Sequence, residues 1–157
     1  MTFNKNKQMK NLIKKVTMII GVVLLSSFTH KTDETFSLTV KVNKLQNSEG
    51  VVQFALYNKD GSIPDQHYKK YYKMETASIS DGSAVITFNN LPKGTYVINI
   101  LHDENKNGKI DKGFILPKEG LGFSNYQSLG PTNRPNFKKA SFELITDLTI
   151  EVRVIYM

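Results

Sequence analysis

Residues 36–42 read FSLTVKV. Phe36, Leu38, Val40 and Val42 alternate with Ser37, Thr39 and Lys41. Successive side chains of an extended chain point to opposite faces, so this alternation writes a half-buried strand with one apolar face. The same period recurs outward from here. Val52, Phe54 and Leu56 follow the turn Asn47-Ser48-Glu49-Gly50, Ala84, Ile86 and Phe88 follow Asp81-Gly82, and Tyr96, Ile98 and Ile100 follow Pro92-Lys93-Gly94. Ala140, Phe142 and Leu144 repeat it, as do Leu148, Ile150, Val152 and Val154 beyond the turn near Asp147; a weaker strand covers 75–79. Turn residues separate about seven such strands, which predicts an all-β antiparallel sandwich. The helical period surfaces only at 65–73, where His67, Tyr68, Tyr71 and Tyr72 suggest one amphipathic turn.

The start of the chain reads differently. Lys5, Lys7, Lys10, Lys14 and Lys15 precede an apolar run from Val16 to Leu25, which ends in Ser26-Ser27-Phe28-Thr29. A basic segment, a short apolar core and small residues describe a secretory signal helix over 1–29. The run is short of the roughly 20 residues a membrane span requires, and an uncleaved N-terminal anchor is the alternative. Residues 30–157 then form a single domain, exported to the periplasm, the outer envelope or the medium. Formal net charge is +7, and five of the positive charges lie before residue 30 without a balancing acid, which leaves +2 for the remainder. The basic balance therefore belongs to the targeting segment and makes no case for nucleic acid. The chain has no cysteine. Small exported domains often rely on disulfides, so stability here has to come from a core or from a bound ion.

Two connections are long, 58–73 and 102–136, and long loops in a compact domain usually carry function or are held by something. The second begins HDENKNGKID, residues 102–111. Calcium is a hard cation that takes about six to eight oxygen ligands. Asp103, Asn105 and Asn107 stand at alternate positions, Gly108 follows where the chain has to turn sharply, Lys109 offers its carbonyl, and Asp111 comes two residues later. The spacing matches D-x-[DN]-x-[DN]-G of the EF-hand loop. The residue expected to supply a bidentate carboxylate is Phe114, and no helix flanks the loop, so the site is an EF-like loop mounted on a strand. Glu119 is the candidate for the missing carboxylate. With few carboxylates the expected Ca²⁺ affinity is about 10⁻⁴–10⁻³ M. The competing reading is a metal-free polar turn built on Asx turns and the Asn107-Gly108 pair. His102, with no partner His or Cys nearby in sequence, reads as a structural histidine and not as a zinc ligand.

The stretches FNNLPKGTYVINILHDENKNGKID, residues 88–111, and PKEGLGFSN, residues 117–125, resemble the bacterial domain-of-unknown-function family 2141, a group of small exported proteins. The L-P-x-G-x-Y segment, with Pro92, Gly94 and Tyr96, also resembles transthyretin-like and carboxypeptidase-regulatory-like sandwiches. That resemblance implies a Greek-key arrangement of the transthyretin-like or Ig-like kind, with Tyr96 as a corner residue. It implies no activity.

Catalytic constellations are thin. Ser124 lies in Gly-Phe-Ser-Asn-Tyr, which misses the G-x-S-x-G elbow at its last position. Neither His67 nor His102 has a triad written around it, and adjacent Asp103 and Glu104 face opposite ways on an extended chain. The glycines of 117–125 allow the backbone to pack over the loop with Phe123 as a plug, or to form a ligand-binding lip. Tyr68, Tyr71 and Tyr72 either cover an open end of the sandwich, as tyrosines commonly do, or join Phe123 as a surface for a glycan or a peptide. The expected protein is an exported, non-enzymatic β-sandwich with a Ca²⁺-binding loop, binding or structural at the cell envelope, with an envelope protein or glycan as partner. A carbohydrate- or peptide-binding accessory module is the alternative, and a small hydrolase the third reading.

Overall fold

The computed structural model describes residues 34–114 and 116–157, and the signal segment read at 1–29 lies outside them. Among these described residues eight strands form two sheets. The smaller has the order β4–β1–β8, built from β1 (Thr35–Val42), β4 (Ala84–Pro92) and β8 (Leu148–Glu151). The larger has the order β3–β2–β5–β6, from β2 (Val51–Tyr57), β3 (Lys73–Ala77), β5 (Gly94–Asp103) and β6 (Gly120–Phe123), with β7 (Phe142–Leu144) pairing against the start of β5. Among the described residues no helix is long and apolar enough to cross a membrane.

The alternation read from the sequence sets the packing. Leu38, Val40 and Val42 of β1, Val52, Phe54 and Leu56 of β2, and Ile98 and Ile100 of β5 are fully buried in one cluster between the sheets. The chain passes from one sheet to the other at Pro92-Lys93-Gly94, and the Tyr96 hydroxyl donates to the Pro92 carbonyl at 2.7 Å. Tyr96 is thus the corner residue that the turn motif implied.

Several elements depart from the sequence expectation. β8 runs parallel to β1, so the sandwich is not wholly antiparallel. Beyond β8 the chain leaves the smaller sheet and Ile155 bridges Leu121 of β6 through two backbone hydrogen bonds, at 3.0 and 2.8 Å. Ala140 ends a short helix, α1 (Phe137–Ala140), and does not begin a strand; the Asn136 side chain caps it by accepting from the Lys139 amide. Residues 65–72 form turns and bends and no helix, and Lys73 begins β3. Tyr68 has φ +48°, which a right-handed helix cannot contain, and the Asp65 carboxylate accepts the Lys70 amide instead. The 102–136 connection is interrupted by β6, whose glycines sit against the C-terminal segment. A Cβ on Gly120 would lie 2.4 Å from Val154, and one on Gly122 would lie 2.6 Å from the Arg153 carbonyl.

Strands β2, β5 and β6 of the larger sheet are buried on both faces. Ala55 and Tyr57 of β2, Val97 and Leu101 of β5, and Leu121 and Phe123 of β6 form a second apolar cluster on its outer side with Tyr68, Tyr126 and Phe137. The two long connections and α1 supply its cover.

Candidate functional site

The D-x-N-x-N-G loop leaves the end of β5 and closes on itself. Asp103 is buried and both its oxygens are engaged: Oδ1 accepts the Asn107 amide at 3.0 Å and Oδ2 the Gly108 amide at 2.7 Å. Asn105 Oδ1 accepts the Asn107 amide at 3.1 Å and Asn107 Oδ1 accepts the Lys109 amide at 2.7 Å, two successive Asx turns. The side-chain amide nitrogens of Asn105 and Asn107 both turn toward the Asp111 carboxylate. Gly108 has φ +70°, the left-handed conformation its position in the motif demands. The structure therefore gathers Asp103, Asn105, Asn107 and Asp111 around one tight turn.

Glu119 approaches from the far end of the loop. Its Oε1 accepts the Glu104 amide at 3.2 Å and its Oε2 the Asp111 amide at 3.0 Å, so one carboxylate staples both ends of the turn. Burial raises its pKa, and the nearby charges of Asp103 and Asp111 add to the rise against the two backbone hydrogen bonds. Glu119 thus feels both neighbouring carboxylates. No lysine or arginine nitrogen lies within 4.0 Å of any of the three among the described residues, where the one ion-pair contact is His102 with Glu104 at 3.9 Å. Among those residues no three His, Cys, Asp or Glu side chains converge tightly enough to hold an ion unaided. An ion here has to draw on amide and carbonyl oxygens as well, and the Asn side chains and the Lys109 carbonyl are the neutral donors to hand.

The support beneath the loop was not legible in the sequence. Gln46 and Asn47 side chains each donate to Glu104 Oε1 at 3.0 Å, and Gln53 lies buried near Gly108. His102 faces the inner core: Nε2 meets the Glu49 carbonyl at 3.0 Å and Nδ1 meets the Tyr156 hydroxyl at 2.7 Å. A carbonyl only accepts, so Nε2 carries a proton and donates to it. These contacts occupy both ring nitrogens and tie β5 to the 46–50 turn and to the C-terminus. Ser124 is also committed. It accepts the Ile98 amide at 3.0 Å and donates to the Ala140 carbonyl at 2.6 Å, in a buried position.

The aromatic candidates do not share a surface. Tyr68 and Phe123 are buried, whereas Tyr71 and Tyr72 are each 41% exposed. Tyr72 leans on Tyr96 with ring centroids 6.3 Å apart. The reading of Tyr68, Tyr71, Tyr72 and Phe123 as one exposed binding row is corrected accordingly. Phe123 points into the outer cluster because it alternates with Gly122 on β6, and Tyr68 does so because its left-handed backbone turns it inward. Burial pushes the Tyr68 phenol above its ordinary pKa against the pull of the neighbouring Asn99 side chain, and its hydroxyl has no partner at hydrogen-bond distance. Removing an unpaired buried hydroxyl relieves a desolvation cost, so Tyr68→Phe should leave stability unchanged or raise it by about 1 kcal/mol, as measured by urea unfolding.

Fold and loop together define a class: a small two-sheet β-domain with an acid- and amide-rich turn at the end of a central strand. The chain belongs to the family of uncharacterized proteins conserved in bacteria, DUF2141, whose model matches residues 40–152. No curated protein and no solved structure matches it.

Proposed function

We propose that residues 103–111 are a Ca²⁺-binding loop and that the protein works as a non-catalytic binding or structural module outside the cytoplasm. The observation that supports this reading is the convergence of Asp103, Asn105, Asn107 and Asp111 on one turn, beside Glu119, with no lysine or arginine nitrogen within 4.0 Å of the three carboxylates among the described residues. Asp103 and Asp111 would hold the ion with the Asn105 and Asn107 amide oxygens and the Lys109 carbonyl. Glu119 contributes its charge from behind the loop, and water fills the remaining positions. Bound Ca²⁺ would neutralise the cluster and fix the turn. It takes no part in chemistry on a substrate. The export half of the proposal leans on the lysine-led apolar segment before residue 30 and on the weak affinity such a loop provides, which suits a compartment with millimolar calcium.

Equilibrium dialysis against Ca²⁺ tests it. One ion per chain should bind with a Kd of about 10⁻⁴–10⁻³ M. Asp111→Asn, which keeps the shape and removes a charge from a partly exposed position, should weaken binding by about tenfold or more. Absence of binding, or binding that the variant leaves unchanged, would overturn the assignment.

A further inference from the structure

A cavity of about 350 Å³ lies on the outer side of the larger sheet, apart from the calcium loop's ligands. Leu121 and Phe123 of β6 line it, together with Ile110, Leu116 and Leu129 from the covering connections. Its volume falls within the range of small-molecule pockets, and such pockets are mostly apolar with a few placed polar groups.

Two buried acceptors line the same space. Asp65 is 7% exposed, and its Oδ2 accepts the Tyr57 hydroxyl at 3.3 Å and the Lys70 amide at 2.7 Å. Its Oδ1 accepts nothing among the described residues, where no lysine or arginine nitrogen comes within 4.0 Å of the carboxylate either. Asn99 is 1% exposed; its side chain lies beside the Tyr57 and Tyr68 hydroxyls, and its Oδ1 has no hydrogen-bond partner among the described residues. Asp65 Oδ1 is reached by solvent, so the cavity presents an accessible carboxylate without a counter-charge on an apolar wall. The charge of Asp65 asks for a positive donor.

We propose that this cavity binds a primary ammonium carrying an apolar body. The ammonium has three donors and no acceptor, which suits Asp65 and Asn99. The apolar body lies along Leu121, Phe123 and Ile110. Arg134 also lines the cavity but is exposed, so its guanidinium stays in water with its stem along the wall.

Isothermal titration with three ligands that share a phenylethyl body tests this: 2-phenylethylammonium, 2-phenylethanol and 3-phenylpropanoate. The ammonium should bind about tenfold or more tighter than the alcohol, because hydrogen bonds to charged groups are the stronger ones. The propanoate should bind most weakly. Asp65→Asn should bring the ammonium down to the alcohol and leave the alcohol unchanged. Equal binding of alcohol and ammonium, tightest binding of the propanoate through Arg134, or no binding of any of them at about 10 mM would overturn the proposal. If Asp65→Asn lost the fold, the ranking of the three ligands on the unaltered protein would still decide.

Discussion

Gly50→Ala should cost at least about 4 kcal/mol, a large share of the roughly 5–15 kcal/mol that holds a typical domain folded. Gly50 holds φ +73° immediately before β2, where a side chain is already disfavoured. A Cβ there would sit 2.0 Å from the Asp103 carbonyl oxygen, 2.5 Å from Glu104 Cα and 2.7 Å from Glu104 C. These are backbone atoms at the point where β5 turns into the 103–111 loop, so no rotamer change relieves the clash. Either the 46–50 turn or the start of the loop has to move. Gly61 supplies the control, with φ +76° and nothing within 4 Å of where a Cβ would stand. Gly61→Ala should cost only about 1–2 kcal/mol, the ordinary penalty for a left-handed alanine. Urea unfolding of the two variants separates close approach from backbone strain, and equal losses would show that Gly50 is not pressed against the loop.

His102→Ala should cost about 3–5 kcal/mol, as a buried ring leaves a cavity and two polar partners lose their bonds. The Tyr156 hydroxyl keeps the Gln46 amide as a donor at 3.3 Å, but the Glu49 carbonyl loses its contact with the ring. His67→Ala, at an exposed position, should stay within about 0.5 kcal/mol. Thermal unfolding of both variants checks the contrast. A small effect at His102 would mean that the ring is not the tie between β5, the 46–50 turn and the C-terminus.

The inner half of this fold is written in period-two alternation, because a strand with one face on the core and one toward solvent has no other way to be soluble. Leu38, Val40 and Val42 read that way and pack that way. The outer half is not written so plainly. In β5, Val97, Asn99 and Leu101 alternate with Ile98 and Ile100, and all are buried, so a strand covered on both faces loses its alternation. The cover comes from connections of irregular backbone, whose placement depends on long-range contacts that local pattern does not encode. β6 was hidden for a related reason. Gly-Leu-Gly-Phe has only two side chains to alternate, and its glycines answer the close approach of Val154 and the Arg153 backbone, thirty-odd residues along the chain. The parallel pairing of β8 with β1 is likewise a matter of topology, invisible to periodicity.

The candidate loop was legible where its geometry is local. Asx turns link residues two apart and Gly108 takes the positive φ its motif requires, so Asp103, Asn105, Asn107 and Asp111 gather as their spacing implies. Glu119 was nameable as a carboxylate near the loop, but its grip on the Glu104 and Asp111 amides depends on how β6 docks. Gln46, Asn47 and Gln53 carried no signal, since they reach the loop only through the pairing of β2 with β5. The tyrosines failed as a group because helical spacing assumed a helix, and Tyr68 turns inward where Tyr71 and Tyr72 stay out.

The central claim is that the 103–111 loop takes calcium, and a thermal melt tests it most directly. The protein is unfolded in EDTA and then in about 10 mM Ca²⁺, alongside Asp111→Asn. A ligand that binds only the folded state adds RT ln(1 + [L]/Kd), which for the expected affinity is about 1.4–2.7 kcal/mol, or several degrees. That rise is expected for the unaltered protein, and Asp111→Asn should lose about 1 kcal/mol or more of it. A melt that stays put from EDTA to about 10 mM Ca²⁺ would contradict it and leave HDENKNGKID as a polar turn held by its own hydrogen bonds.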